Sequence, residues 1–235
     1  MTDLCDKEKV QGFSLKDKSA CVVGCGGLGC NVSVHLAGAG IGRLLLCDFD
    51  TVSESNLNRQ FLYRRSDIGK SKCDCAAEAL RAYAPLSEIE SRNVRVLSED
   101  DLLFAKDCDI IISAVDNLPA RQILQRFCRE NGMPLVCAGI DGFYGTAYLY
   151  VPFKSPCPDC AGQNGDVKAK YNVSATAGII GSLQAALAVR YLISEDALIA
   201  GRLHIYDGDC LETLTVKGSE NCKECKKNTA TEVSL

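Results

Sequence analysis

The chain lacks an excess of positive charge, and its apolar stretches are short. Its 235 residues include 26 Lys and Arg against 30 Asp and Glu, so the net charge is −4 and no basic face for nucleic acid is expected. We expect no apolar run to reach the roughly 18 residues that cross a bilayer. Residues 1–18 are polar and charged, unlike a signal peptide. These absences predict a cytoplasmic protein that binds neither membrane nor nucleic acid.

Histidine is scarce, whereas cysteine is abundant. The two histidines, His35 and His204, fall in a predicted helix and a late predicted strand, where we expect structural roles. The fifteen cysteines are an odd number, and many lie within apolar segments. Such cysteines suit small buried side chains in a reducing compartment better than a disulfide framework.

A glycine turn is the most informative feature that is present. It contains Gly24, Gly26, Gly27 and Gly29, and it follows an apolar run at 20–23 and precedes an apolar stretch of helical length. Glycines there permit a tight bend and a close backbone approach to phosphate oxygens, while the helix N-terminus favours negative charge. A tight turn without a ligand is the alternative, but the flanking strand and helix favour a nucleotide site.

The rest of the chain alternates between strand and helix patterns, which predicts an α/β fold in one domain spanning 1–235. We expect a Rossmann-like, doubly wound and mostly parallel sheet with helices on both faces, extended by antiparallel strands. The predicted strands are 20–23, 43–48, 88–96, 109–115, 135–140, 146–151, 202–206 and 212–216, and the predicted helices are 28–39, 71–84, 119–131 and 175–193.

Polar side chains follow two of these strands. Asp48 and Asp50 end the strand at 43–48, and Asp116 and Asn117 follow the strand at 109–115. Carboxyl ends of parallel strands share one edge of the sheet, so these groups should lie beside the glycine turn. The spacing of Asp48 from the turn suits an acceptor for ribose hydroxyls. Asp116 is either a magnesium ligand or a cap for the following helix.

Five ordered motifs resemble the ubiquitin-activating superfamily of adenylyltransferases. They are the glycine turn, Asp48-Phe49-Asp50, Ser55-Asn56-Leu57-Asn58-Arg59-Gln60, Ile68-Gly69-Lys70-Ser71-Lys72 and Asp116-Asn117. Within that superfamily the chain is most similar to the small ThiF/MoeB/HesA-type members that activate sulfur-carrier proteins. The similarity extends from about residue 18 to 225.

The resemblance implies a role for each motif in binding ATP and Mg²⁺. Gly27 would contact ATP, Asp48 would hold the ribose, Arg59 and Lys72 would face the triphosphate, and Asp116 would serve magnesium. The candidate nucleotide-binding residues are Gly24, Gly26, Gly27, Gly29, Asp48, Asp50, Asn56, Asn58, Arg59, Gln60, Lys72, Asp116 and Asn117. For Arg59 and Lys72 the alternative is an ordinary solvated charge.

The implied reaction explains why fixed cations are needed. A carboxylate attacks the α-phosphorus of ATP and expels pyrophosphate, so an anion must approach a polyanion. Arg59, Lys72 and magnesium held by Asp116 would offset that repulsion and stabilise the transition state. These three residues are the candidate catalytic residues. A general base is unnecessary because the carboxylate is ionised near neutral pH.

Two C-x-x-C pairs, Cys157/Cys160 and Cys222/Cys225, supply four thiolates for a closed tetrahedral Zn²⁺ site. The 61 residues between the pairs require a tertiary knot formed by about 152–171 and 218–227. Redox-active dithiols or disulfides are the alternatives. The resemblance assigns the zinc a structural role.

The sequence departs from its relatives in two places. Relatives commonly supply an N-terminal arginine to the neighbouring subunit's ATP, but the first arginine here is Arg43. Either Lys7, Lys9 or Lys16 substitutes for it, or the site works without such a residue. Many relatives also carry a cysteine shortly before the long helix, and this chain has none between Cys160 and Cys210. We therefore expect activation to stop at an acyl-adenylate.

Together these features predict an enzyme that adenylylates the C-terminal carboxylate of a ubiquitin-like sulfur carrier ending in Gly-Gly, for thiamine, molybdenum-cofactor or related sulfur transfer. A homodimer and a sulfur donor such as a cysteine desulfurase or rhodanese would accompany it. The alternatives are activation of a tRNA nucleoside or other acceptor, a non-catalytic nucleotide-binding subunit, and, least favoured, a nicotinamide dehydrogenase.

Overall fold

The computed structural model describes residues 12–164 and 171–226. They contain one eight-stranded sheet in the order β3-β2-β1-β4-β5-β6-β7-β8. The strands are β1 (Ser19–Val23), β2 (Arg43–Cys47), β3 (Glu88–Arg92), β4 (Ile110–Ser113), β5 (Leu135–Asp141), β6 (Tyr144–Tyr150), β7 (Arg202–Tyr206) and β8 (Leu211–Thr215).

Within the described ranges, five α-helices connect or follow these strands. They are α1 (Gly27–Gly38), α2 (Lys72–Tyr83), α3 (Leu118–Glu130), α4 (Ser174–Ser194) and α5 (Lys223–Lys226). Short 3₁₀ segments, which the sequence patterns did not predict, lie at Glu54–Asn56, Arg65–Asp67, Glu99–Ala105 and Ala197–Ile199.

The sheet has a parallel half and an antiparallel half. Strands β1 to β5 pair in parallel, and β6, β7 and β8 extend the sheet as antiparallel neighbours. In the centre Val22 pairs with Leu46 on one side and Ile112 on the other. The predicted α/β class, with a mostly parallel sheet and antiparallel additions, is confirmed.

Side chains of the central strands point alternately into two apolar cores, one on each face of the sheet. On β1, Val22 belongs to the core formed with α1, α2 and α4, whereas Cys21 belongs to the core formed with α3 and Glu99–Ala105. Both faces are therefore covered, as expected for a doubly wound sheet. Burial raises the pKa of the Cys21 thiol well above its usual value, and Cys21 behaves as a small apolar side chain.

Helix α4 corrects the prediction that no apolar run is long enough to span a bilayer. Its 21 residues reach a mean hydropathy of 1.4 over an 18-residue window, which meets that criterion by length and composition. The same window is 50% buried within the protein, and α4 packs against α1, β5 and β6. A side chain at Gly181 would clash with Asn31, since its Cβ would lie 2.6 Å from the Asn31 Cβ. The apolar side chains of α4 therefore contribute to the core of the protein.

Most predicted boundaries agree with the structure to within two residues, and the strand predicted at 88–96 is the exception. It ends at Arg92 because the backbone turns there, with the Val94 N–H donating to the Arg92 carbonyl oxygen at 3.0 Å. The strand predicted at 109–115 is also shorter, since it ends at Ser113.

Candidate functional site

The glycine turn connects β1 to α1 in a conformation that other residues could not adopt. Gly24 has φ of +98°, and a Cβ there would lie 2.5 Å from the carbonyl oxygen of Ala114. A Cβ on Gly29 would lie 1.9 Å from the carbonyl oxygen of Gly24. Helix α1 starts after Gly26, which provides no side-chain cap. The first amides of α1 are consequently available to an anionic ligand.

Asp48 clamps this turn, a role that sequence reasoning missed. Its Oδ2 accepts a hydrogen bond from the Cys25 N–H at 2.6 Å, and its Oδ1 accepts one from the Asp50 N–H at 2.8 Å. Burial raises the pKa of Asp48, while the two amides and nearby Lys72 act in the opposite direction. The carboxylate predicted to bind ribose therefore also fixes the glycine turn.

Lys72, the first residue of α2, is not a solvated charge. Its side chain is buried, and its Nζ donates to Asp50 Oδ2 at 2.9 Å. The Lys72 N–H also donates to the Asp50 carbonyl oxygen at 2.9 Å. The Asp50 side chain is 50% exposed, so a phosphate arriving at this edge can compete with it for the ammonium group.

Arg59 lies across the start of α1. Its Cγ and Cδ are 3.4 Å from the point that a Cβ on Gly27 would occupy. Its Nη1 donates to the Ser55 carbonyl oxygen at 3.1 Å and to Asn58 Oδ1 at 2.9 Å. The aliphatic part of Arg59 therefore lies against the start of α1, and Ser55 and Asn58 hold its guanidinium.

The neighbouring amides shape the same loop. Asn56 Oδ1 accepts from the Ser53 N–H at 3.2 Å, which supports the loop-shaping role that the resemblance implied. Gln60 is 3% exposed, and its Oε1 has no hydrogen-bond partner among the described residues. Its Nε2 lies 3.7 Å from the Cβ position of Gly26. An unsatisfied buried amide next to the glycine turn fits a site completed by a polar ligand.

The sequence left two roles open for Asp116, a helix cap and a magnesium ligand, and the structure gives the cap to its neighbour Asn117. Asn117 is the N-cap of α3, since its Oδ1 accepts from the Ala120 N–H at 3.0 Å. Asp116 is exposed at the end of the segment that follows β4. The cap interpretation therefore applies to Asn117, and the carboxylate of Asp116 faces solvent, where a divalent cation can reach it.

Strand order brings these groups together. β2, β1 and β4 are adjacent and parallel, so Asp48, Gly24 and Asp116 follow the carboxyl ends of neighbouring strands. The prediction that they share one edge is confirmed. This edge combines a backbone cradle, two cationic side chains and a solvent-facing carboxylate, a donor set that fits a nucleotide triphosphate with magnesium.

The four cysteines of the C-x-x-C pairs form a second cluster. Their Sγ atoms all lie within 4.8 Å of one another, with Cys157–Cys222 at 3.4 Å and Cys160–Cys225 at 3.7 Å. A disulfide needs about 2.05 Å, whereas tetrahedral thiolates about 2.3 Å from zinc are about 3.8 Å apart. The cluster fits a tetrathiolate metal site, and the predicted tertiary link between the pairs is confirmed. Residues 165–170 and 227 of the predicted knot lie outside the described residues.

Four further residues were named from the sequence, namely Cys210, Lys7, Lys9 and Lys16. Cys210 is exposed between β7 and β8, and the carboxylate of Asp207 raises the pKa of its thiol. Lys16 is exposed, and Lys7 and Lys9 lie outside the described residues.

Comparisons with known proteins agree with the motif assignment. A profile of the ThiF family matches residues 8–227. The adenylyltransferase and sulfurtransferase MOCS3 of Culex quinquefasciatus is 32% identical over 230 residues, covering 93% of this chain and 52% of that protein. The sulfur carrier protein adenylyltransferase of Thermus thermophilus is 34% identical over 225 residues, covering 90% of this chain and 83% of that protein.

Among solved structures, E. coli MccB with ATP has a TM-score of 0.79 and 23% sequence identity, with 90% of this chain and 67% of that chain covered. This likeness concerns the fold alone. The chain spans about half the length of the MOCS3 relatives that it matches.

Proposed function

The chain belongs to the ThiF family, and from this premise we propose that it is an ATP-dependent adenylyltransferase. Its substrate would be the C-terminal glycine carboxylate of a ubiquitin-like sulfur-carrier protein, and its products the carrier acyl-adenylate and pyrophosphate. Residues 1–235 would form one ATP-binding domain. The names of the relatives support this choice, since one of them is a sulfur carrier protein adenylyltransferase.

The observation that carries the proposal is the position of Arg59 across Gly27. A phosphate bound to the first amides of α1 would lie next to this guanidinium, which can fork onto its oxygens. A nicotinamide dehydrogenase transfers hydride and gains nothing from a cation at this place. Phosphoryl chemistry uses it directly, because charge accumulates on the phosphate oxygens in the transition state.

The reaction needs little proton transfer from the protein. The carrier carboxylate is already ionised near neutral pH and attacks the α-phosphorus once it is held in line. Arg59 offsets the charge on the phosphate oxygens, and Lys72 exchanges Asp50 for the triphosphate. Asp116 would hold magnesium, which when bound neutralises charge on the phosphates. The closed cysteine cluster would hold zinc as a structural ion without an open position for catalysis.

Activation would stop at the acyl-adenylate. This mixed anhydride is already reactive toward a sulfur nucleophile, so an enzyme thioester is not required. The carboxylate of Asp207 raises the pKa of the Cys210 thiol, which disfavours the thiolate that an enzyme thioester would need. A separate donor such as a cysteine desulfurase or rhodanese would supply the sulfur, for thiamine, molybdenum cofactor or a related product. We further propose that the protein is cytoplasmic and forms a homodimer. Light scattering would reveal the dimer.

Carrier-dependent exchange of pyrophosphate into ATP tests this function. The enzyme is incubated with ATP, magnesium, labelled pyrophosphate and each of several ubiquitin-like carriers. One carrier should support exchange, and the same carrier without its terminal glycine should not. Nucleotide binding without exchange on any carrier would instead support a non-catalytic subunit, and exchange that depends on tRNA would support another acceptor.

A further inference from the structure

Helix α3 carries a polar stripe on the side that faces the cysteine cluster. The stripe consists of Arg121, Gln125 and Arg129, which are spaced four residues apart and therefore lie along one side of the helix. Each of them makes a polar contact with a segment that holds the cysteine cluster. None was identified from the motifs, since polar residues in an amphipathic helix are typical of a solvated face.

Gln125 contacts the first C-x-x-C loop. It is 3% exposed, and its Nε2 donates to Asp159 Oδ2 at 2.6 Å. Its Oε1 accepts from Asn164 Nδ2 at 2.6 Å, and the same Nδ2 donates to Asp159 Oδ1 at 2.9 Å. Asp159 lies between the ligand candidates Cys157 and Cys160. Both polar atoms of a buried side chain are therefore used to hold this loop.

Arg129 makes the corresponding contact with the second loop. Its Nη1 donates to Oε2 of Glu224, and both side chains are mostly buried, with 16% and 25% exposed. Glu224 lies between Cys222 and Cys225. Each C-x-x-C loop thus contains one carboxylate, and both carboxylates accept hydrogen bonds from the same side of α3.

Arg121 extends the stripe to the nucleotide end of the helix. Its Nε donates to the Val115 carbonyl oxygen at 3.3 Å, and its Nη1 donates to the Gln163 carbonyl oxygen at 2.7 Å. Val115 immediately precedes Asp116, and Gln163 immediately precedes Asn164. One guanidinium therefore joins the segment that presents Asp116 to the segment that follows the first C-x-x-C loop.

We propose that the α3 stripe couples the two sites, so that metal in the cysteine cluster and magnesium nucleotide at Asp116 strengthen each other's binding. Filling the cluster fixes both loops, the loops fix α3, and α3 with Arg121 fixes Val115 and Asp116. Gln125, Arg121 and Arg129 are positioning residues in this scheme. The inference rests on the proposed function, which supplies both ligands.

Thermodynamic linkage makes the test reciprocal. Zinc affinity of the whole protein is measured by competition with a chelating dye, with and without magnesium and a non-hydrolysable ATP analogue. Analogue affinity is measured by calorimetry with and without zinc. Each ligand should raise the affinity for the other by the same factor, at least about fivefold.

Gln125→Leu should bring that factor close to one, because it removes the contact with Asp159. Gln122→Leu is the matched control, since Gln122 is exposed on the same helix, and it should keep the parental factor. Gln125→Glu should also lose the coupling, because the new carboxylate faces the carboxylate of Asp159 and cannot donate to it. In the double variant Gln125→Glu with Asp159→Asn, the side-chain amide of residue 159 can donate instead, and the coupling should return.

Independent binding of zinc and analogue to the parent protein would overturn the inference while leaving the proposed function intact, as would full coupling in Gln125→Leu. Failure of the proposed function has a different signature, namely no analogue binding or no pyrophosphate exchange with zinc present.

Discussion

The parallel and antiparallel halves of the sheet hold their residues in different ways. In the parallel half, β1, β2 and β4 are almost entirely buried, and the candidate nucleotide-binding residues follow their carboxyl ends. In the antiparallel half, every residue of β8 is exposed, and the chain continues from there to the second C-x-x-C pair. Apolar burial positions the first region, whereas clustered cysteines and polar contacts with α3 hold the end of the second.

The two candidate sites therefore depend on the fold to different degrees. The nucleotide edge, our name for the candidate site at the carboxyl ends of β1, β2 and β4, is set by buried strands and by a turn that tolerates no side chain at Gly24. The cysteine cluster joins two loops far apart in sequence, so its geometry would depend on a metal ion that the thiols share. Substitutions in the two regions should therefore fail in different ways.

The largest effect should follow removal of charge at the nucleotide edge. Arg59→Ala, Lys72→Ala and Asp116→Ala should each lower carrier-dependent pyrophosphate exchange by at least about a hundredfold, as expected for lost transition-state stabilisation. Arg65→Ala is the matched control, since its side chain is 82% exposed on the loop that follows Arg59. Parental exchange in the Arg59 or Asp116 variant would contradict the assigned roles.

The same substitution in each half should separate buried from exposed strands. Leu45→Ala in β2 removes a side chain that is 0% exposed and should lower the free energy of unfolding by about 2–5 kcal/mol. Leu214→Ala in β8 removes one that is 50% exposed and should change it by less than about 0.5 kcal/mol. Urea unfolding measures both, and equal costs would remove the distinction between the halves.

Two glycines of the turn should respond unequally to alanine. Gly24→Ala should destabilise the protein by about 1–3 kcal/mol or more and weaken ATP binding, because the new Cβ would sit at a positive φ and clash with the backbone of Ala114. At Gly26 the nearest atom to a Cβ is Gln60 Nε2 at 3.7 Å, an ordinary contact, so Gly26→Ala should be mild. Thermal unfolding and calorimetric titration with ATP measure both variants, and a larger loss in Gly26→Ala than in Gly24→Ala would contradict this prediction.

The smallest global effect is expected at the cysteine cluster. The purified protein should contain one zinc per subunit, and Cys157→Ser or Cys222→Ser should lose the metal and about 5 °C in Tm. Cys210→Ser, outside the cluster, should retain both. Elemental analysis decides the metal content, and a Cys157–Cys160 disulfide in a zinc-free protein would rule out the site.

The motifs located the candidate residues but not their partners. The glycine turn and the C-x-x-C pairs are local patterns with one main physical use each, so they could be identified directly. The hydrogen bond from Cys25 to Asp48 and the ion pair of Lys72 with Asp50 join residues about twenty positions apart, and they depend on how the loops pack. Sequence spacing gives no information on such packing.

The wrong prediction about apolar runs and the failure to identify the α3 stripe have the same origin. Residues 174–194 are apolar enough for a membrane helix, and only the packing of this helix against α1 and the sheet shows that its apolar side chains belong to the core. Gln125 and Arg129 have the composition of a solvated helix face, and only the fold reveals that two acidic loop residues cover them.

Intact-mass analysis of the carrier tests the proposed reaction most directly. Enzyme, ATP, magnesium and carrier are incubated and then resolved under non-reducing conditions. Adenylylation predicts a carrier that has gained one AMP group at its C-terminus, with no enzyme–carrier adduct. An unmodified carrier would contradict the proposed activity, and a stoichiometric, thiol-sensitive adduct that disappears in Cys210→Ala would show that the reaction continues to an enzyme thioester.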